Sequence, residues 1–394
     1  MLTREENELL TRVERGTPAG ELLRRYWQAV GVAGEFTDEK PIKAVKVLGE
    51  ELVLYRDKKK NYGLVGEHCP HRSASLAFGR VDEEGIRCPY HGWKFNNSGR
   101  CLEQPAEPPG STFKDRIKHT AYPVEKLGGL LFAYLGPEPR PMLPRWDVLA
   151  WEQGRRWIVI DSVIDCNWLQ PMENSVDPAH LYWLHGHSAH LAPLVRDYDE
   201  RHEFSCFEYG IMKRRITPPK KSGGQSLIDQ HPLLFPNVLR HVAPYRKDGG
   251  FRHNLQIRIP IDNTHTQVYR VSFVPCETER SPADADAPFE YSRLKTAERE
   301  YNMKEVSAQD SMAWETQGAI TDRTREHLGI GDEGIILFRK LLKEQIEVAQ
   351  RGQDPIGVIR DPDKNRIIEF DVMNERIGLH RPSNSGLDQK AVAS

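Results

Sequence analysis

Hydrophobic residues recur at helical spacing near the start of the chain and at strand-like spacing soon afterwards. Between residues 4 and 27 the apolar positions fall at helical intervals that are interrupted at Gly16–Pro18, which predicts two short helices. From Ala44 to about Leu135, short β-rich runs alternate with Gly, Pro and Asn turn signals. The second pattern is typical of a small antiparallel barrel or sandwich.

A proline-dense stretch at residues 136–146 separates this part of the chain from a second β-rich region, and we interpret it as a domain boundary. Strand-like runs cover residues 203–216 and 254–274. Helical patterns occupy the remaining stretches at 165–185, 297–317 and 334–351. We therefore expect an α+β fold, with an N-terminal antiparallel β domain followed by an antiparallel sheet flanked by helices.

These patterns divide the chain into four parts. Proline-rich and polar segments mark the boundaries between them, because such segments rarely continue a packed core. The predicted parts are an N-terminal helical segment at 1–40, a β domain at 41–145, a larger α+β domain at 146–380 and a polar tail at 381–394.

Composition and charge narrow the classes of ligand and location. The 55 lysines and arginines nearly cancel the 57 aspartates and glutamates, which argues against nucleic acid or an anionic membrane as the partner and favours a small ligand. The charged N-terminus lacks the apolar core of a signal peptide, and no apolar run approaches a membrane span, so we expect a cytoplasmic protein. Six cysteines are too few for a disulfide scaffold and are expected to be thiols or metal ligands.

Two short loops each combine one cysteine with one histidine. Cys69 and His71 are separated by one residue, and Cys88 and His91 by two. Two thiolates and two imidazoles can close a tetrahedral zinc site or hold a 2Fe-2S cluster. Zinc fingers more often pair like ligands within one knuckle, whereas each loop here mixes them after a β-run. The pattern favours the cluster, with structural zinc or unrelated residues as the alternatives.

A second candidate centre lies in the sequence ENSVDPAHLYWLH at residues 173–185. His180 and His185 suggest a site of two histidines and one carboxylate for non-haem Fe(II), which leaves positions open for dioxygen. Asp177 shares a helix face with His180, but His185 falls about 140° further around an ideal helix, so the helix must end or bend. The rival histidines are His187 and His190.

The third ligand of such a site must be a distant carboxylate. Asp310 lies in a predicted helix on the same face as Ala313, Trp314 and Gln317. An aspartate on that mixed face would be buried, and a buried carboxylate needs a partner such as a metal. A solvent-facing Asp310 is the alternative, and the other candidate carboxylates are Glu305 and Glu315.

The first pair of loops, CPHRSASLAFGRVDEEGIRCPYHGW at residues 69–93, resembles the cluster-binding motif of Rieske proteins. Respiratory Rieske proteins add a cysteine to each loop, whereas this chain has residues such as Arg72, Ser73 and Tyr90 there. The motif therefore argues against a respiratory subunit. The resemblance implies a 2Fe-2S cluster with one iron on the two cysteines and the other on the two histidines, namely Cys69, Cys88, His71 and His91.

Residues 173–185 are similar to the N-x2-D-x2-H-x4-H segment of Rieske oxygenase catalytic domains, particularly the homo-oligomeric group typified by phthalate dioxygenase. The similarity extends to residues 7–27 and 322–332. It implies a helix-grip-like catalytic domain, with Asp177 as a bridging carboxylate and Asn174 close to the iron. The implied ligands of a mononuclear Fe(II) are His180, His185 and Asp310.

The resemblance also implies an activity and its partners. We expect the oxygenase component of a ring-hydroxylating or O-demethylating system, which activates O2 with electrons from NAD(P)H through a reductase carrying FMN and a plant-type 2Fe-2S cluster. In such systems Asp177 would accept hydrogen bonds from His180 and from the partner subunit's His91, so we expect a homotrimer or stacked hexamer. The alternative is a Rieske electron-transfer protein with a non-catalytic C-terminal domain.

The substrate implied is aromatic and carboxylated, either phthalate-like or a methoxylated compound derived from lignin. A carboxylate needs a cation in the pocket, and Arg214 and Arg240 lie on strand-like segments that could supply one. Trp183, Phe235 and Trp314 are candidate aromatic walls, with core packing as their alternative role. A structural or surface role is likewise the alternative for both arginines.

Overall fold

The N-terminal segment of the computed structural model begins with two short helices, as predicted. The structure describes residues 1–187, 200–219, 224–245, 250–375 and 378–379; the predicted tail at 381–394 lies outside them. Helix α1 (Arg4–Thr11) starts with a capping box between Thr3 and Glu6, and helix α2 (Pro18–Arg24) is capped by the Thr17 side chain.

The predicted helical segment at 1–40 is wrong beyond the second helix. Strand β1 (Trp27–Val32) is buried along its whole length and pairs with β11 (Leu130–Tyr134), which in turn pairs with β10 (Val124–Leu127). Every residue from Trp27 to Val32 is buried. A helix with one apolar face would expose some of them, so the helical pattern ends at Tyr26.

The predicted small antiparallel β domain is present as two four-stranded sheets. In each sheet every neighbouring pair of strands is antiparallel, and short turns separate the strands. The first sheet contains β2 (Ile42–Val47), β3 (Glu50–Arg56), β4 (Tyr62–Gly66) and β9 (Ala121–Tyr122). The second contains β5 (Arg80–Val81), β6 (Ile86–Arg87), β7 (Lys94–Phe95) and β8 (Cys101–Glu103).

A nine-stranded sheet forms the centre of the second domain, in the order β13-β14-β15-β16-β17-β18-β12-β19, with β20 paired to β15. All pairs are antiparallel except β12 with β19, so the expected antiparallel sheet is a mixed one. Each of the two strand-like runs predicted from the sequence, 203–216 and 254–274, contains parts of two strands that pair as an antiparallel hairpin. The strands are β12 (Gln153–Asp161), β13 (Arg201–Phe207), β14 (Gly210–Thr217), β15 (Leu227–Leu234), β16 (Val238–Tyr245), β17 (Gly250–Pro260), β18 (Thr266–Arg280), β19 (Phe289–Ser292) and β20 (Met373–Asn374).

Helices flank this sheet, and none in the described part of the chain is long and apolar enough to cross a membrane. The helix predicted at 297–317 begins nine residues later, because Glu315 binds Tyr301 and Lys295 and holds residues 295–305 as a loop. The α-helices are α3 (Asp147–Ala150), α4 (Leu169–Ser175), α5 (His180–Trp183), α6 (Val306–Glu315) and α7 (Glu333–Gln350). Short 3-10 turns cover Ala33–Glu35, Leu76–Phe78, Phe113–Arg116, His185–His187, Ile330–Asp332 and Pro362–Asn365.

The two faces of the large sheet differ in polarity. One face carries apolar residues such as Leu255, Ile257, Val271 and Phe273, which belong to the main hydrophobic core. The opposite face carries polar residues, and Arg258 on it donates to α4 backbone and side-chain atoms. The apolar face therefore supplies the core, and the polar face lies beneath the helix that precedes the second candidate centre.

Candidate metal centres

The first candidate centre is built from two tight loops, each closed on its own cysteine. The Ser73 amide donates to the Cys69 carbonyl at 2.8 Å, and the Cys88 amide donates to the Trp93 carbonyl at 2.8 Å. Gly92 adopts φ of +72° with Pro105 against it, a conformation that favours glycine. Both cysteines are buried, at 1% and 4% exposure, so the loops point their thiols into the domain.

The two histidines of these loops lie together at the surface. The rings of His71 and His91 are 4.5 Å apart between centroids, and the Trp93 ring stacks on His71 at 4.6 Å. His71 is exposed and His91 half-buried. The structure therefore brings the paired Cys/His loops together, with the thiols inside, the imidazoles outside and Trp93 covering one imidazole.

The chemistry of the buried thiols fits a bound cation. Burial and the neighbouring Cys88 together raise the pKa of the Cys69 thiol to about 11. A thiolate at that position therefore needs a positive charge beside it, which iron or zinc supplies. The adjacent His68 is exposed and contacts Glu51 and the Ser73 carbonyl, which agrees with a place in the turn.

The second candidate centre joins three side chains from two helices. His180 begins α5, and His185 lies in the 3-10 turn that follows it, so the bend required by their spacing is present. Asp310 Oδ1 of α6 lies 3.1 Å from His185 Nε2 and 4.0 Å from His180 Nε2. One ligand atom from each of the three residues lies within 4.8 Å of the others.

The protonation of His185 is set by a residue that sequence reasoning missed. Gln309 Oε1 accepts a hydrogen bond from His185 Nδ1 at 2.7 Å, while Gln309 Nε2 donates to the Met303 carbonyl at 2.7 Å. A reversed amide would place the Gln309 oxygen against that carbonyl, so the pair of contacts fixes the orientation. The other ring nitrogen, Nε2, then faces Asp310.

A carboxylate oxygen and an imidazole nitrogen thus face each other in a buried site, with Asp310 Oδ1 3.1 Å from His185 Nε2. Burial lowers the pKa of His185, but Asp310 and Gln309 outweigh burial and raise the pKa above its ordinary value. Either a proton or a metal cation can therefore lie between these two atoms, and both atoms are of the kinds that bind metals. Two imidazoles and one carboxylate form the ligand set of mononuclear non-haem iron sites, and this set fits such an ion.

The rival ligands do not join this cluster. Glu315 is buried but binds Lys295, Tyr301 and the Asp165 amide, and Glu305 is exposed at the start of α6. His190 lies outside the described residues, as does the side chain of His187. Among the candidates that the structure describes, His180, His185 and Asp310 alone come together.

Asp177 lies between this cluster and solvent. Its Oδ1 accepts from the Ala179 amide at 2.8 Å, and its Oδ2 lies 3.7 Å from His180 Nδ1. Burial raises the pKa of Asp177, but His180 and the Ala179 amide outweigh this and hold the pKa below its ordinary value. The carboxylate is therefore ionised, and 27% of the side chain remains exposed. Asn174, at the end of α4, is half-buried.

A buried ion cluster anchors α4, which leads into the site. Glu173 is buried, and its carboxylate accepts from Arg323 at 2.7 Å and from Arg339 at 2.6 Å. Arg323 belongs to the stretch 322–332 that was recognised by resemblance alone. No local sequence signal predicts this contact, because it joins residues 150 positions apart.

The predicted substrate residues do not line the polar face of the sheet. Arg240 is 1% exposed and bound by Asp147 at 2.9 Å, so its charge is already neutralised and this prediction is wrong. Arg214 lies on the face opposite to the polar one, where it binds Gln230. Trp314 is buried against Arg258, whose guanidinium carbon is 5.1 Å from the ring centroid.

The other two aromatic candidates also have different surroundings. Phe235 is buried in the main hydrophobic core, which agrees with core packing, the alternative to its predicted place in a substrate pocket. Trp183, in contrast, is 61% exposed beside the second candidate centre. Neither ring therefore forms an enclosed wall within the chain.

Comparison with known proteins shows the family. The profile described as Rieske [2Fe-2S] domain matches residues 26–123, and that described as LigXa C-terminal domain like matches residues 295–376. The oxygenase subunit of 5,5'-dehydrodivanillate O-demethylase from Sphingobium sp. (strain NBRC 103272 / SYK-6) is 40% identical over 93% of this chain and 86% of that protein.

Further relatives extend over similar lengths. The phenoxybenzoate dioxygenase alpha subunit of Ectopseudomonas oleovorans is 37% identical over 89% of this chain and 87% of that protein. The phthalate 4,5-dioxygenase oxygenase subunit of Pseudomonas putida is 30% identical over 94% and 92%. The solved structure of Pseudomonas putida CBB5 NdmA with caffeine has a TM-score of 0.66 at 21% identity, over 86% of this chain and 94% of that one, which shows a shared fold.

A Rieske domain joined to a mixed-sheet domain that brings two histidines and a carboxylate together defines an iron-dependent oxygenase. The chain belongs to the Rieske non-haem-iron oxygenases, as an oxygenase component related to phthalate dioxygenase. The oxygenase is thus supported over the electron-transfer protein with a non-catalytic C-terminal domain. The chain carries a Rieske 2Fe-2S domain, and its family uses a mononuclear iron and O2.

Proposed function

We propose that the protein is the oxygenase component of a system that O-demethylates a methoxylated aromatic acid. The cluster of His180, His185 and Asp310 carries the oxygenase part of this proposal, because one ligand atom from each residue lies within 4.8 Å of the others and the set of two imidazoles and one carboxylate suits a mononuclear iron. The relative that is 40% identical is named as an O-demethylase of 5,5'-dehydrodivanillate, and two others are named for phenoxybenzoate and phthalate, which are also aromatic carboxylates.

The proposed cluster ligands are Cys69 and Cys88 on one iron and His71 and His91 on the other. Their domain is proposed to span 41–145, with the catalytic domain at 146–380. When bound, the cluster and the mononuclear iron supply electrons and activate O2. The side chains bind and orient these groups: the buried loops hold the thiols, Trp93 covers His71, and Gln309 holds the proton on His185 Nδ1.

Asp177 is proposed to connect neighbouring subunits of a homotrimer or stacked hexamer. Its partly exposed carboxylate lies beside His180, and Trp183 next to it is 61% exposed. On the Rieske domain, Phe78 and Tyr90 are 81% and 56% exposed around the histidine loops. A neighbouring Rieske domain seated over Asp177 would cover these apolar surfaces. Native mass spectrometry of the holoenzyme tests the trimer, and a monomer contradicts it.

The electron supply is proposed to be an NAD(P)H-dependent reductase with FMN and a plant-type 2Fe-2S cluster, in keeping with the phthalate dioxygenase relationship. Asp177 is the proposed route from the partner subunit's His91 to His180, and Asn174 is proposed to lie beside the iron. Both assignments extend the family motif at residues 173–185 to this chain.

Formaldehyde release tests the reaction. Holoenzyme supplied with NADH and a matching reductase is expected to release one formaldehyde per methoxyl group removed from a methoxylated aromatic acid. A cis-diol without formaldehyde contradicts O-demethylation and indicates ring dioxygenation. Metal analysis of the same preparation is expected to give about three irons and two acid-labile sulfides per chain. Two irons would contradict a loaded mononuclear site.

A further inference from the structure

Polar residues lie on one face of the large sheet on five of its strands. On β14 and β15, Lys213 lies opposite His231, and on β16 to β18, His241 lies opposite Asn254, which lies opposite Ser272. Side chains directly opposite one another in a sheet share a face. The pairing of β15 with β16 ends at Leu233 opposite Leu239, and His231 and His241 each lie two residues further along their strands, so all five residues share one face.

This face lies beneath the helices of the mononuclear site. Lys213 Nζ donates to the Ser175 carbonyl at 2.8 Å, at the last residue of α4. Arg258, two pairs along the same face, donates to the Pro171 carbonyl and Ser175 Oγ and lies against the Trp314 ring of α6. The helices that present Asp177 and Asp310 therefore cover the polar face.

The covering is not close-packed. His241 and Gln256 lie on the central strands β16 and β17, yet both are only half-buried. On the other face of the same strands Leu255 is 0% exposed and Ile257 is 2% exposed. A residue at the centre of a nine-stranded sheet retains accessible surface when open space lies over it. Some space therefore remains between the polar face and the helices that cover it, and we call the polar face the floor and this space the chamber.

The floor carries more positive than negative charge. Its cations are Arg155, Lys213, Arg215, Arg252, Arg258 and Arg270, and its carboxylates are Asp161 and Asp229. The carboxylates are already bound, Asp229 by Arg215 and Asp161 by Arg270.

Within the described ranges, no carboxylate contacts four of the cations of this floor, namely Arg155, Lys213, Arg252 and Arg258. Lys213 is 6% exposed. Its ammonium group has three N–H donors, and within the described residues its hydrogen-bond acceptor is the Ser175 carbonyl. Burying this ammonium is costly, and Asp177, which favours its charge, makes no ion pair with it within the described ranges. An anion bound directly to Lys213 would offset that cost.

We propose that the chamber floor binds the carboxylate of an aromatic acid substrate, with Lys213 as the principal cation. The inference rests on the proposed function, since it specifies the substrate of that same site. His231 and His241 continue the row beside Lys213, and the aromatic ring then lies between the floor and the metal ligands. The proposed substrate class is therefore an aromatic carboxylate. The corresponding methyl ester is neutral and lacks the carboxylate that Lys213 binds.

Binding to matched acids and esters tests this assignment without turnover. The probes are 5,5'-dehydrodivanillate and 3-methoxybenzoate, each with its methyl ester, titrated into anaerobic holoenzyme and followed by calorimetry. Wild-type protein is expected to bind the acids more tightly than the esters. In Lys213→Met that preference is expected to fall about ten- to a hundredfold, as for the loss of a hydrogen bond to a charged group.

Arg214→Met is the matched control, because Arg214 is the next residue of the same strand and points to the opposite face. It is expected to keep the preference for acids. A purely structural role for Lys213 would weaken acids and esters alike. An unchanged preference in Lys213→Met, or no preference in the wild type, overturns the proposal. Failure of the O-demethylation proposal is distinguishable from these outcomes, because an acid would then bind but release no formaldehyde.

Discussion

Gln309 Oε1 accepts a hydrogen bond from His185 Nδ1 at 2.7 Å, and the contact joins residues 124 positions apart. Gln309 precedes Asp310 on α6, so one turn of this helix supplies both a proposed iron ligand and the acceptor that orients another. Gln309 is 1% exposed and is also held by the Met303 carbonyl. The loop before α6 therefore takes part in fixing the imidazole.

Replacing Gln309 with Leu is expected to weaken metal binding by about 10- to 100-fold, because the His185 ring loses the acceptor that fixes its tautomer. Gln309→Glu, which keeps an acceptor oxygen, is expected to retain most of the affinity. Co2+ titration of protein stripped of its mononuclear iron measures both. Gln317→Leu, at an exposed position just after the same helix, is the control. Equal Co2+ affinity in Gln309→Leu and wild type contradicts the positioning role.

The ion cluster around Glu173 is expected to matter for stability. Glu173→Gln removes the negative charge that pairs with both Arg323 and Arg339. Both guanidinium groups are buried and lose this counter-charge. Breaking a buried ion pair in this way costs about 3–5 kcal/mol. The urea midpoint of unfolding is expected to fall accordingly. Asp363→Asn, in the exposed pair with Arg366, is expected to leave the midpoint unchanged. Equal midpoints for both variants contradict the prediction.

The acid preference assigned to Lys213 is expected to depend on pH. Burial and the facing Arg215 and Arg258 together lower the pKa of Lys213 to about 7, against the opposing effect of Asp177. The facing His231 has a pKa well below its ordinary value because it is buried, so it stays neutral. Lys213 is charged below its pKa, so the acid-to-ester affinity ratio is expected to fall as pH rises above about 7.

Calorimetry between pH 6 and 8.5 measures this ratio for 3-methoxybenzoate and its methyl ester. The benzoate is ionised throughout that range, so a change reports the protein rather than the ligand. Lys213→Met is expected to give a low ratio that does not change with pH. A wild-type ratio that is constant, or that rises with pH, contradicts titration of Lys213.

The sequence allowed most of the candidate metal-binding residues to be predicted because their spacing is local. Cys69 with His71, Cys88 with His91, and His180 with His185 each lie within a few residues of one another, whereas Asp310 is distant and was chosen from its place in a predicted helix and in the family resemblance. Substrate residues could not be predicted in this way. Lys213, Arg214 and Arg215 are consecutive, and a strand with charges at every position carries no period-two signal of which face is buried. The pattern therefore does not distinguish Arg214 from Lys213, which lies on the opposite face of the strand.

Contacts between distant segments were also beyond sequence reasoning. Gln309 and Glu173 act through residues more than 100 positions away, and neither belongs to a pattern of hydrophobic spacing. The start of α6 was placed too early for the same reason, since the loop before it is held by Glu315 from the far end of that helix. Local periodicity does not report such tertiary hydrogen bonds.

Asp177 provides a test of the route between the two centres. Asp177→Asn keeps an oxygen that can accept from the Ala179 amide, so the turn that places His180 is expected to remain. The variant removes the negative charge 3.7 Å from His180 Nδ1, together with the second acceptor oxygen. Both iron centres are therefore expected to load normally, as judged by iron and sulfide content.

The rate of electron transfer is expected to fall in this variant, by about 10- to 100-fold, the range seen when the hydrogen-bond partner of a ligand histidine is changed. Single-turnover oxidation of the pre-reduced holoenzyme, followed at the visible absorption of the cluster with substrate and O2 present, measures that rate. Normal loading with a slow rate supports Asp177 as the connection between subunits. A wild-type rate in Asp177→Asn shows that electrons reach the mononuclear site without this carboxylate, and poor iron loading shows instead that Asp177 maintains the ligand geometry of His180.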